Sequence, residues 1–469
     1  MFLADQALIF SREANSSVWV EKLDAIIAQA EESEVDLALA GSSCPVAGRK
    51  ESGSYYTPAD VADHFWMQFF RFHQVRSASE FRQLIAKTHF VEPSAGSGIL
   101  VFTLIRQALK FGLQPIELGK FRLSVIDVNF AALQFISQRL CELEAEFGVS
   151  LGDIGLVQRD FLDWAACTRS DNVIFIGNPP FVANPRGSHW RNSYADFLEA
   201  MLDYRASSIS ISLILPVSIC FSRDYIDLRQ KISDCGIGVS AASYDNIPDC
   251  LFKAGKPESQ NTNRANSQRC TILNIGGPET GVRESGPMIR WATRQRNLVL
   301  SGVPQFQDYA AYKFDGQIPR PSTDWILDYL KRNSDQPPLR FYFSKSAHSD
   351  FSIGTVARNF IGIRESVLRD ATSLPIRAEK EQDRLIILQV LGSPIFFEYW
   401  RSLGDGFHVT SDLIDRFPVS RQLHASCVAN LAKAKRAWTG RKEVLKSKLN
   451  SGRVTETFDF TGKFDYLEF

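Results

Sequence analysis

"DNVIFIGNPPF", residues 171–181, decides how the chain is read. Val173 to Ile176 form an apolar run, as a strand buried on both faces does. The run stops at Gly177 and passes into Asn178, Pro179, Pro180 and Phe181. Two adjacent prolines give a sheet no N–H and fix φ, so the strand ends here and the backbone past it is rigid. Asn178 carries a side-chain carbonyl acceptor, and Pro179 a backbone carbonyl. With the backbone fixed, both acceptors can face one way and hold a planar amino group by its two N–H bonds. Phe181 then offers a face for a flat ring. Taken alone, the same residues also read as a tight strand exit with a buried aromatic.

Outward from this stretch the pattern alternates. "HFVEP", "FRLSVIDV", "IGLVQRDF", "SISLILPVSI", "GVSAASYD" and "RCTILNIG" read as strands. "ILVFTLIRQALKFG", "NFAALQFISQRLCELEAEFG", "SYADFLEAMLDYRA" and "RDYIDLRQKISDC" read as helices. Alternation of this kind predicts an α/β fold, a doubly wound sheet with helices on both faces, over residues 51–285. Residues 1–50 form an N-terminal arm with an amphipathic helix over 17–40, and Thr57 and Asp60 are expected to cap the helix that starts near Pro58. Beyond 285 the alternation stops, and residues 286–469 are expected to form a mixed α+β domain. "ASCVANLAKAKRAWTGRKEVLKSKL" reads as its terminal basic helix.

In an open α/β sheet, ligands bind at the carboxyl ends of the strands. "VEPSAGSGIL", 91–100, offers such a site. Gly96 and Gly98 let a ligand approach the backbone across Pro93, Ser94 and Ala95, and Glu92 can accept from a ligand ammonium. Asp127, ending "SVIDV", can accept both hydroxyls of a ribose, or cap the next helix. Asp160 can accept from the exocyclic amine of an adenine, with Phe161 against the ring. An amino-acid end, a ribose and an adenine together describe S-adenosylmethionine. No GxGxxG or GxxxxGK[ST] run is present, so NAD and ATP fit less well.

The whole chain sets outer bounds. It has 469 residues and a formal net charge of zero. It has no apolar stretch of membrane-spanning length and no secretory signal at its start, so a cytoplasmic protein is expected. Its eight cysteines show no metal-binding spacing, so they are expected to be reduced thiols, with no metal. Zero charge argues against a general polyanion binder, but two stretches are basic. One carries Lys253, Lys256, Arg264, Arg269, Arg283, Arg290, Arg294 and Arg296. The other carries Lys433, Lys435, Arg436, Arg441, Lys442, Lys446 and Lys448.

In their order, "SYYTP" with Tyr56, Thr57 and Pro58, then "EPSAGSG", "NPPF", the helix with Tyr194 and Phe197, Pro216 at a strand end and Arg229 on a helix resemble one family. It is the gamma-class (amino-group) N6-adenine-specific DNA methyltransferases of the Taq type. The match covers about residues 53–275, and "FFEYWRSLGDGFHVTSDLIDRFPV" is more loosely similar to the close of such enzymes' recognition domains. The resemblance implies a class I S-adenosylmethionine-dependent methyltransferase fold, Rossmann-like, followed by a target-recognition domain. It implies that Tyr56, Thr57 and Pro58 cover the cofactor's methionine end. Asn178, Pro179, Pro180 and Phe181 are then catalytic, and Phe252 stacks on a flipped adenine opposite Phe181. It also implies double-stranded DNA as partner, a restriction or specificity subunit as a second, and phosphate contacts from Lys253, Lys256, Arg264 and Arg269. A protein glutamine N5-methyltransferase, an RNA adenine methyltransferase, or an inactive or partner-dependent recognition subunit would share much of this pattern.

Overall fold

The computed structural model describes residues 18–33, 57–185, 187–252, 268–279, 281–312, 316–344, 351–357, 361–364, 373–440, 444–450 and 453–459. The chain divides into two compact units. The first comprises Met1–Ala310 with Asp315–Gln317, and the second Ala311–Phe314 with Ile318–Phe469.

The first unit is built on nine strands: β1 (His89–Glu92), β2 (Arg122–Asp127), β3 (Asp153–Gln158), β4 (Asn172–Gly177), β5 (Ser208–Pro216), β6 (Gly238–Tyr244), β7 (Cys270–Gly276), β8 (Arg283–Ile289) and β9 (Gln307–Asp308). Their order is β3-β2-β1-β4-β5-β7-β6-β8-β9. β3 to β5 run parallel, and β7 enters antiparallel between β5 and β6. This is the doubly wound α/β sheet that the alternating sequence pattern predicts. Sequence order reverses between β1 and β4, so the carboxyl ends of those two strands form the switch-point crevice where such sheets hold ligands.

The helices of this unit are α1 (18–33), α2 (Ala59–Phe72), α3 (Ala78–Lys87), α4 (Ile99–Lys110), α5 (Pro115–Leu118), α6 (Phe130–Phe147), α7 (Phe161–Cys167), α8 (Ser193–Leu202), α9 (Ile226–Asp234) and α10 (Arg296–Ser301). Phe65, Trp66, Phe69 and Phe70 of α2 are buried, in mutual edge and stacked contacts. Trp66 Nε1 donates to Thr103 Oγ1 of α4 at 2.9 Å, so the indole is buried without leaving its N–H unpaired. Leu23, Ile26, Ile27 and Ala30 of α1 join the same core. The N-terminal arm, where described, is therefore part of the first unit.

Three expectations change in detail. Pro58 holds the N-cap position of α2, and neither Thr57 nor Asp60 caps it. The Ala59 N–H is met instead by Glu31 Oε1 of α1, at 2.5 Å. The boundary expected at 285 falls inside β8, which pairs in parallel with β6, so the sheet continues past it. The terminal basic segment is not one helix. In the second unit α11 (Asp324–Arg332), α12 (Glu381–Leu391), α13 (Pro394–Leu403), α14 (Ser411–Arg416), α15 (Arg421–Ala429) and α16 (Leu431–Gly440) accompany β10 (Phe351–Gly354), β11 (Ile363–Arg364) and β12 (Ser373–Ile376). The chain then forms a hairpin of β13 (Val444–Asn450) and β14 (Arg453–Asp459). Ser451-Gly452, a turn dipeptide between runs with β-branched Val444, Val454, Thr455 and Thr457, is the signal that overrides the basic helix pattern. The mixed α+β character expected for this half is what the second unit shows.

Candidate active site

β1, β2, β3 and β4 each deliver a polar residue to one cavity of about 780 Å³ at their carboxyl ends. β1 ends in Glu92, β2 in Asp127, β3 leads to Asp160 and β4 to Asn178. Between β1 and α4, Pro93, Ser94, Ala95 and Gly96 form its floor. Gly98 does not line the cavity but makes the turn. At φ 78°, with an added Cβ falling 2.7 Å from Ile136 Cγ1, the position admits only glycine without a shift.

Glu92 is 2% exposed, and its Oε2 has no hydrogen-bond partner. Burial pushes its carboxyl well above the usual glutamate range, and the neighbouring Asp127 adds to the effect. Asp127 accepts the Gly96 N–H through Oδ2 and the Asn129 N–H through Oδ1, each at 2.8 Å. Those bonds lower its pKa, but burial dominates and the net shift is upward. The helix-cap alternative for Asp127 falls to Asn129, whose side chain caps α6. Asp160 does cap α7, accepting the Leu162 N–H at 2.7 Å, and it also lines the cavity. A carboxylate oxygen holds two lone pairs, so neither bond ends its capacity to accept.

Phe161 departs from expectation. It borders the cavity but is 1% exposed, turned inward against Phe197 at 5.0 Å and Trp164 at 6.1 Å between ring centroids. Apolar surface beside Asp127 and Asp160 comes instead from Phe130, 55% exposed, and from Leu162. Nothing in the sequence singles out Phe130, because the first residue of a helix has no signature of its own. Exposure of a large ring beside two acids is visible only in the fold.

The loop after β4 is locked from both sides. Ser94 Oγ donates to the Asn178 carbonyl at 3.3 Å, and Ser193 Oγ to the Pro180 carbonyl at 2.7 Å. The Pro179 carbonyl between them receives no hydrogen bond among the described residues. Asn178 Nδ2 donates to Thr57 Oγ1 at 3.2 Å, which turns the amide and fixes the direction of its Oδ1. Thr57, Asn178 and Pro180 line the cavity, whereas Pro58 and the buried Pro179 do not.

Phe181 packs edge-on to Tyr194 at 6.2 Å and to Phe252 at 6.1 Å. Phe252 is 4% exposed and belongs to the core. The two phenylalanines thus touch at 78° and do not face each other as parallel plates; the segment carrying Phe252 is held in by a buried arginine. Arg296 of α10 donates to Asp60 Oδ1 and Oδ2 at 3.0 and 2.5 Å, to Cys250 O at 2.6 Å and to Leu251 O at 2.8 Å. Asp60 belongs to the first turn of α2, one turn from Thr57. One guanidinium therefore ties α2 to the backbone beside Phe252.

The expected phosphate contacts fare differently. Arg269 donates to the buried Asp245 at 2.8 Å, and Arg290 pairs with the same carboxylate, so these basic residues face an internal partner. The sequence shows the arginines but not which acid the fold brings to them. Tyr56, Lys253, Lys256 and Arg264 lie outside the described residues. Among the described residues, no group of three or more His, Cys, Asp or Glu is placed to hold a metal ion, and no helix is long and apolar enough to cross a membrane.

No protein-family model matches the sequence, and no curated protein does. Solved structures do. The DrdV–DNA complex aligns with TM-score 0.44 and 12% identity, covering 84% of this chain and 43% of that one. A nuclease-deletion mutant of the Type ISP restriction-modification enzyme LlaGI, in complex with a DNA substrate mimic, aligns with TM-score 0.43 and 12% identity, covering 65% and 34%. A type I restriction-modification methyltransferase subunit from Streptococcus thermophilus aligns with TM-score 0.34 and 16% identity, covering 54% and 53%. The chain spans between 34% and 53% of the length of these proteins.

Proposed function

We propose that the chain is a DNA adenine N6-methyltransferase that uses S-adenosylmethionine, in a restriction-modification or related defence setting as its sequence resemblance implies. The observation that carries this reading is one cavity shared by Glu92, Asp127, Asp160 and Asn178. The orphan Oε2 of Glu92 suits a cationic ligand end, because an unpaired buried carboxylate is costly until a cation meets it. Glu92 would hold the ammonium, Asp127 the ribose hydroxyls and Asp160 the adenine amine, with Phe130 and Leu162 beside the ring. When bound there, S-adenosylmethionine supplies a methyl group activated by its sulfonium.

The chain's own part is to present the amine. An adenine amine is a poor nucleophile because its lone pair is shared with the ring. Two fixed acceptors, Asn178 Oδ1 and the Pro179 carbonyl, would take its two N–H bonds and draw the lone pair toward the methyl. This is preorganised electrostatics that needs no strong base. A base in a duplex cannot reach Asn178 in this cavity, so the adenine has to leave the stack.

Labelled S-adenosylmethionine, offered with duplex DNA, RNA or protein, tests the reading. Label in N6-methyladenine from DNA is expected. Label in glutamine or only in RNA would replace it with the protein or RNA reading. A smaller effect tests the loop. Thr57→Val keeps the shape but removes the acceptor for Asn178 Nδ2, and should lower kcat about 5- to 10-fold, the worth of one neutral hydrogen bond. Binding of S-adenosylmethionine, followed by calorimetry, should stay within about twofold. An unchanged kcat would show that this bond does not orient the amide.

A further inference from the structure

The opposite end of the sheet carries a second cavity, of about 510 Å³. Arg122 opens β2, Arg169 to Asp171 lead into β4, and Arg205 to Ser207 lead into β5. Ligand-binding loops of parallel sheets follow the carboxyl ends, so a polar cavity at the amino ends is not part of the arrangement described above. It is also distant, since the six residues of β4 separate the two ends by about 20 Å.

Three guanidiniums share this cavity. Arg122, Arg169 and Arg205 are exposed, and among the described residues none of their guanidiniums makes an ion pair or hydrogen bond. Elsewhere in the same unit Arg71, Arg82, Arg106, Arg139 and Arg296 each find a carboxylate. Arg122 is held in β2, and the loops that carry Arg169 and Arg205 are tied down. The Ser207 and Ser208 N–H groups donate to the Asp171 carbonyl at 2.8 and 3.0 Å, and Ser170 Oγ lies 3.3 Å from His89 Nδ1. Among the described residues, Asp171 is the one carboxylate lining the cavity, against three positive charges. On β1, burial lowers the pKa of His89; of the two nearby charges, Arg122 lowers it further and Asp153, opposite Arg122 on β3, raises it.

Like charges held around one space repel unless an anion sits among them. Guanidinium N–H pairs match phosphate oxygens in bidentate fashion, and several such forks suit two or more phosphates better than one carboxylate. We propose that this cavity binds a ligand bearing two or more phosphate groups, with Arg122, Arg169 and Arg205 as its ligating side chains. The proposal does not rest on the methyl-transfer reading. The phosphates can belong to a free phosphorylated small molecule or to a nucleic-acid backbone.

Calorimetric titration of the full chain with sodium tripolyphosphate at low ionic strength is the test. Saturable binding is expected, weakened at least about tenfold in R122Q/R169Q/R205Q and unchanged in R76Q/R332Q/R421Q, three exposed arginines elsewhere. Absence of saturable binding, an unchanged affinity in the first variant, or an equal loss in both would overturn the site. Thermal midpoints check that the variants fold. Should the triple variant not fold, R205Q alone is read in the same titration, with about a threefold loss expected and no loss overturning the site. A short duplex that displaces tripolyphosphate assigns the phosphates to nucleic acid. Retention of tripolyphosphate beside saturating duplex assigns them to a free ligand.

Discussion

Asn178→Ala should leave less than about one thousandth of the methyl transfer, while S-adenosylmethionine still binds. Removing one preorganised group aimed at a reacting atom costs about 10²–10³ in rate. Here the loss should lie at or beyond the upper end, because one of two acceptors for the same amine disappears. The backbone should survive the change. The prolines still fix the loop, and the Asn178 carbonyl still takes its hydrogen bond from Ser94. Glu92, Asp127 and Asp160, which the proposal assigns to the cofactor, are untouched, so cofactor affinity should move by no more than about threefold. Single-turnover transfer of label into duplex DNA, beside calorimetry with S-adenosylmethionine, separates the two quantities. Transfer within tenfold of the unaltered chain would remove Asn178 from the chemistry.

Glu92→Gln should weaken S-adenosylmethionine binding about 10- to 100-fold, since a charge-assisted hydrogen bond to a buried carboxylate contributes about 1.5–3 kcal/mol. It should also change how the protein responds to pH. Burial raises the folded-state pKa of Glu92 above its ordinary 4.5. A raised carboxyl pKa means that the folded state holds its proton more tightly than the unfolded one. The stabilisation is complete below 4.5 and is lost as pH rises through the raised value. The ligand-free chain should therefore lose stability across that window, while cofactor affinity, which needs the ionised form, should grow. Glutamine flattens both trends. Thermal midpoints and calorimetry over the same pH series read them together, and parallel slopes in the two proteins would show that Glu92 is not the titrating group.

Much of this arrangement is legible in the sequence because it follows from where strands end. β1, β2 and β4 are apolar runs that stop at a small or polar residue, so Glu92, Asp127 and Asn178 fall at the carboxyl edge by periodicity alone. What was hidden depends on partners distant in sequence. Arg269 looks like a free cation until Asp245 is seen beside it. Phe252 looks like an open ring until its backbone neighbours are seen bound to Arg296. β8 was missed because "RESGPMI" is too polar and proline-broken to stand out as a strand, although its pairing to β6 needs only the backbone. The burial of Phe161 is hidden for a similar reason: the residue borders the cavity, but contacts with Phe197 and Trp164 turn its ring inward.

The clasp made by Arg296 has a consequence for how the protein can be made and divided. Its bond to Asp60 closes 236 positions of chain. During synthesis, α2 emerges 236 positions before the residue that joins it to Cys250–Leu251, and that backbone itself 45 to 46 positions before. That corner of the molecule must wait, with the Asp60 carboxylate and two carbonyls hydrated, until α10 leaves the ribosome. A fragment ended at residue 285 would be arrested in the same state. It would keep β1 to β7 and every proposed cofactor contact, yet lack the guanidinium that fixes the wall beside Phe181. The smallest portion that can be dissected out intact therefore extends at least through α10, well past the point where the alternating sequence pattern fades.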